Sequence, residues 1–157
     1  MSASYAWLLL LHILAALWFA AGVWGSTVVR AQGRRATALA ERLLAVRILW
    51  RMHVVFTLPA MIVAGLLGFY LVTAGGFRFQ ETWVMLAAGL YLLMFLSTLF
   101  ALTPALSRQR QAAAAATLSQ EAMPRLEQAL GQKLPGILSD VNALILLVLV
   151  ALMVVKP

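Results

Sequence analysis

Residues 5–29 read YAWLLLLHILAALWFAAGVWGSTVV, twenty-five positions without a charged side chain. A helix needs ~20 mostly apolar residues to cross a hydrocarbon core ~30 Å thick. At 1.5 Å per residue this run spans about 37 Å, so it predicts a membrane helix. Three more runs of the same kind follow, at about 54–73, 83–102 and 137–155. Breakers agree with their ends: Gly33 after the first, Gly75-Gly76 after the second, Pro104 after the third and Pro135-Gly136 before the fourth.

Composition points the same way. The chain has 157 residues, 64% hydrophobic and 11% charged. Soluble domains average about 45–50% apolar and about 25% charged, and could not hide this much apolar surface. The expected fold is all-α, a single transmembrane four-helix domain over 1–157. No cysteine is present, which excludes disulfides, thiol catalysis and thiolate metal sites. No Lys or Arg precedes Arg30, so the N-terminus lacks the basic start of a cleavable signal, and the first helix is expected to remain.

The net charge of +7 is not read as a nucleic-acid footprint, because ten of the twelve basic residues lie in two loops. Arg30, Arg34, Arg35, Arg42, Arg47 and Arg51 crowd the first loop. Arg108, Arg110, Arg125 and Lys133 occupy the third, and only Arg78 the second. The positive-inside rule then puts loops one and three in the cytoplasm and both termini outside. Within 36–52, Leu39, Leu43, Val46 and Trp50 recur at helical spacing, and 112–134 reads as a helix broken at Pro124. Both are expected as interfacial helices or as cytoplasmic extensions of the bundle.

Polar side chains in a membrane are costly, so each is a functional candidate. His12, His53, Asp140, Asn142 and, more weakly, Ser97-Thr98 qualify. His12 falls about 10 Å inside the outer boundary. Neutral imidazole is a good ligand for haem iron, and equally a partner for another helix. His53 begins the second helix at the inner face, so the two histidines differ in depth by roughly 20 Å and cannot ligate one iron. Snorkelling and lipid-phosphate contact account for Arg51 and His53. Asp140 suits the first turn of the fourth helix.

Leu11-His12-Ile13 with Trp18 and Ala21-Gly22, then Arg51, Pro59-Ala60-Met61-Ile62 and Gly68, and the ending Val154-Val155-Lys156-Pro157, form a pattern. In it the chain resembles the HemJ-type and CopD-like superfamily of four-helix bacterial membrane proteins. The resemblance covers most of the chain, with its specific motifs in the first two helices. It implies a bacterial inner-membrane protein that binds haem b, with His12 as ligand to the haem iron and Arg51 and Met61 at the cofactor site. Electron transfer or porphyrin-linked redox chemistry is the role this implies, beside a membrane redox complex or in a homo-oligomer. HemJ-type oxidases carry a histidine and a lysine where this chain has Trp83-Val84-Met85-Leu86, and a shorter third loop, which points to a branch outside the oxidases. Two other readings stay open: a cofactor-free accessory subunit of a respiratory complex, and copper handling by His12 with Met61 or Met85.

Overall fold

The computed structural model describes residues 3–156; Met1, Ser2 and Pro157 lie outside that description, as does the side chain of Gln120. Pro157, the last residue of the terminal motif, is therefore not placed. Among the described residues there is no strand, and helices follow one another in four rods. The first rod is α1, Ala3–Arg35. The second is α2, Leu39–Met52, a π turn over His53–Thr57, and α3, Leu58–Ala74. The third is α4, Thr82–Ser97, a π turn over Thr98–Leu102, and α5, Thr103–Leu118. A short 3₁₀ turn, Gln120–Ala122, leads to α6, Met123–Gly131, and α7, Leu134–Val155.

Each rod is long and apolar enough to cross a membrane, and only 22–33% of each apolar stretch is buried within the chain. The rest carries large apolar groups outward, among them Leu17, Leu66, Phe69, Leu93, Phe100 and Leu144. Lipid is the solvent that makes such a surface stable. The first three rods have 33, 36 and 37 residues, about 50–55 Å of helix. They outrun a ~30 Å hydrocarbon core, and the surplus lies at the arginine-rich end. The first expected loop helix is α2, continuous with the second span. The second, 112–134, is the end of α5 followed by α6, and its break falls at 119–122, so that Pro124 stands in the first turn of α6. A small apolar cluster of Val46, Ala113 and Leu126, backed by Leu43, Met123 and Leu130, joins α2, α5 and α6 there.

Pro104 was expected to end the third helix, and the structure corrects this. Proline lacks an N–H and its ring crowds the carbonyl four residues back, so a regular α turn cannot pass through it. The chain widens instead of stopping. The Thr103 N–H reaches back five residues to the Thr98 carbonyl, and the Leu58 N–H likewise to His53, one residue before Pro104 and Pro59 respectively. Threonine hydroxyls strengthen both turns, Thr103 donating to the Thr98 carbonyl at 2.8 Å and Thr57 to the Met52 carbonyl at 3.4 Å. The first and last helices also start or end beyond their expected limits, so Asp140 lies in the second turn of α7 and is exposed.

The main core joins all four rods through Phe19, Ala20, Val23, Ala60, Met61, Met94, Ile145, Leu146 and Leu149. The Tyr91 hydroxyl donates to the Met61 carbonyl at 2.9 Å, tying α4 to α3. Gly22 sets the approach of α1 to the first π turn. A Cβ there would stand 2.8 Å from Thr57 Oγ1 and 2.9 Å from the Thr57 nitrogen, so only glycine allows this contact.

Candidate functional site

His53 and Thr57 of the first π turn and Thr98 and Leu102 of the second line one small cavity in the arginine-rich half. His53, 2% exposed, lies 2.8 Å from Thr103 through Nε2. The single hydroxyl proton of Thr103 goes to the Thr98 carbonyl, so its oxygen accepts and His53 Nε2 donates. Thr103 thus joins the imidazole to the Thr98 carbonyl. Asn142, 3% exposed, donates from Nδ2 to Thr98 Oγ1 at 2.9 Å, and its Oδ1 accepts from Ser97 at 3.1 Å. The chain of contacts thus joins rods two, three and four.

Between these groups is a cavity of about 20 Å³, lined on its polar side by Ser26, Arg30, His53, Thr98, Ser139 and Asn142. A space of ~10–15 Å³ holds one water when polar partners surround it. Arg30 closes the cavity toward the arginine-rich end, its Nη2 donating to Ser139 Oγ at 2.9 Å. Beyond Arg30 opens a cleft of about 400 Å³ lined by Arg34, Arg42, Gln109, Glu127 and Gly136 among others. Arg30 and Leu49 line both spaces, so the buried polar site and the outer cleft are neighbours across these two side chains.

His12 has different surroundings. It is 8% exposed, and its Nδ1 is buried with no hydrogen-bond partner among the described residues. Gly68 of α3 lies against the ring, where an added Cβ would be 3.1 Å from His12 Cε1. The motif residues His12 and Gly68 therefore meet, as do Gly22 and the Phe56-Thr57 backbone. Fifteen residues separate His53 from Gly68 on the second rod, about 22 Å, which keeps the two histidines far apart in depth.

The other residues named from the resemblance are not gathered at His12. Met61 is fully buried in the main core, about two turns from Gly68 along α3. Arg51 is exposed, near the junction of α2 and the first π turn. Met85, the other thioether considered, is 58% exposed on the outside of the bundle. Among the described residues no three His, Cys, Asp or Glu side chains converge.

Two placements differ from the sequence reading. His53 does not snorkel to an interface: it is packed inside the bundle, because the π turn rotates it inward against Thr103. Arg30, counted only as a topological charge, reaches into the bundle and seals its polar cavity. A signal for the first existed, since His53 and Thr98 each stand six residues before a proline, Pro59 and Pro104.

Four apolar rods with a polar centre in one half make this a small multi-pass α-helical membrane protein. The chain belongs to the family described as predicted integral membrane protein (DUF2269), which it matches over residues 6–157. No curated protein and no solved structure matches it.

Proposed function

We propose that the protein binds haem b in the membrane with His12 as axial ligand, for electron transfer or porphyrin-linked redox chemistry. One observation carries this reading: the buried, unpartnered Nδ1 of His12. Leaving such a nitrogen unsatisfied costs ~1–3 kcal/mol, a cost that a ligand removes. Neutral imidazole is the usual haem donor. The contact of His12 with Gly68 gives further support, since both belong to the motif that carries the resemblance. When bound, the group would supply one-electron chemistry, and the chain's own part is to hold the imidazole in place against α3.

The donor fits, while neither cavity described above includes His12. On this reading the macrocycle is received between this half and a second chain, either another copy or a membrane redox partner. The arginine-rich end would face the cytoplasm and His12 the outer leaflet. Protoporphyrinogen oxidation is disfavoured, because proton removal needs bases in reach of the substrate. Val84 is 3% exposed and Met85 faces outward where the oxidases have ionisable groups. Expression in a bacterium lacking its own protoporphyrinogen oxidase should not restore haem synthesis.

An absorption spectrum of protein from haem-replete cells, oxidised and reduced, tests the reading. A Soret band that shifts on reduction is expected. A colourless protein would replace it with the accessory-subunit reading.

A further inference from the structure

The arginine-rich cleft raises a question that the haem reading leaves untouched. Three guanidinium groups, Arg30, Arg34 and Arg42, line a space of about 400 Å³. Glu127 is the acid on that lining, and Asp140 is near enough to act on Arg30 electrostatically. No ion pair is formed with either acid among the described residues, so the three charges are offset only in part, through Asp140 acting on Arg30. Arg30 and Arg34 repel one another at this range.

Their donors are only partly used. Arg30 gives Nη2 to Ser139, and its Nη1 is buried with no partner. Arg42 spends Nε on the Ala36 carbonyl at 3.0 Å, which holds its side chain in place and leaves its terminal amino groups. Arg34 lies over Gly136 at the start of α7, where a Cβ would be 2.5 Å from Nη2. The bare backbone at 136 thus makes room for a guanidinium at the positive end of a 22-residue helix. Guanidinium groups this close repel one another, and an anion between them would offset that repulsion. The planar fork of arginine matches tetrahedral oxyanions by paired, charge-assisted hydrogen bonds.

We propose that this cleft binds a phosphate-bearing anion, held by Arg30, Arg34 and Arg42. The phosphate comes either from a lipid headgroup of the adjoining leaflet or from a soluble phosphate compound. Both present the same oxygens. The site is independent of His12 and needs no haem.

The full chain, purified in a phosphate-free detergent, is titrated with inorganic phosphate and separately with a short-chain phosphatidylglycerol, against sodium chloride at equal ionic strength. Calorimetry and the melting temperature are the readouts. Saturable binding of inorganic phosphate alone assigns the site to a soluble compound, and binding of the lipid alone assigns it to a headgroup. Binding of both shows that the phosphate itself is recognised. Arg30→Gln and Arg34→Gln should each weaken binding about tenfold or more. Arg35→Gln, exposed and outside the cleft, should leave it unchanged. Arg34 is itself exposed, so its variant keeps the test available if Arg30→Gln does not fold. No binding beyond that of chloride, or equal weakening by Arg35→Gln, overturns the proposal.

Discussion

In the arginine-rich half, His53 reaches Thr103, and Asn142 reaches both Thr98 and Ser97, each across a boundary between rods. In the opposite half His12 lies on a glycine and keeps one ring nitrogen unpaired. The difference follows from the solvent. Lipid offers no hydrogen bonds, so a polar side chain there either finds a partner within the chain or stands ready for a ligand. The first half takes the former course, using two π turns to bring its donors and acceptors together. Such turns recur at functional sites because they displace a side chain from the helical pattern. The second half keeps regular helices, with a single histidine packed on Gly68.

The largest effect expected is all-or-none. If the two halves face opposite sides of the membrane, a cysteine at Gln80 should react with an impermeant thiol reagent in intact cells, and one at Gln111 should not. Both positions are exposed, so burial cannot explain a difference. The reverse labelling would invert the assignment of leaflets.

Next in size is the close approach at the π turn. A Cβ at residue 22 meets the Thr57 backbone nitrogen, which no rotamer change relieves, whereas one at residue 68 meets only the His12 ring. Gly22→Ala should cost about 3 kcal/mol and Gly68→Ala about 1 kcal/mol, read as falls in melting temperature in detergent. Equal losses would mean that the two halves are packed alike. Asn142→Ala should follow at about 1–2 kcal/mol, since it leaves Thr98 and Ser97 without their cross-rod partner.

The smallest effect concerns the loop between α3 and α4. Glu81 Oε1 accepts from the Arg78 N–H and Oε2 from the Trp83 indole, each at 2.8 Å. The Arg78 N–H first, and then the Trp83 indole, hold this carboxyl below its usual range. A lowered carboxyl favours the ordered loop above the ordinary carboxylate range, and that contribution is lost as the pH falls through the lowered value. Acidification should therefore change Trp83 fluorescence with little change in melting temperature, and Glu81→Gln should remove the pH response.

Four spans, their order and the crowding of charge at one end were legible because each rests on a property summed over many residues. An apolar run of twenty leaves few alternatives. The site was less legible because it depends on where single carbonyls go. Pro104 reads as a stop signal, and nothing local says that the chain can widen through it. Only the matching spacing of His53 to Pro59 and Thr98 to Pro104 hinted that two helices share a distortion. Arg30 was hidden for the opposite reason: in a loop with six arginines, one that turns inward looks like the rest. His12 stands out in the sequence as a candidate because it is the one ionisable residue deep in the first span.

The most direct test of two separate centres is the Soret absorbance of the His12→Ala and His53→Ala proteins, purified side by side from haem-replete cells. The band should be lost or shifted in the first and retained in the second, because about 22 Å of helix separates the His12 contact at Gly68 from His53. Equal loss in both, or a band that survives His12→Ala and vanishes with His53→Ala, would contradict it.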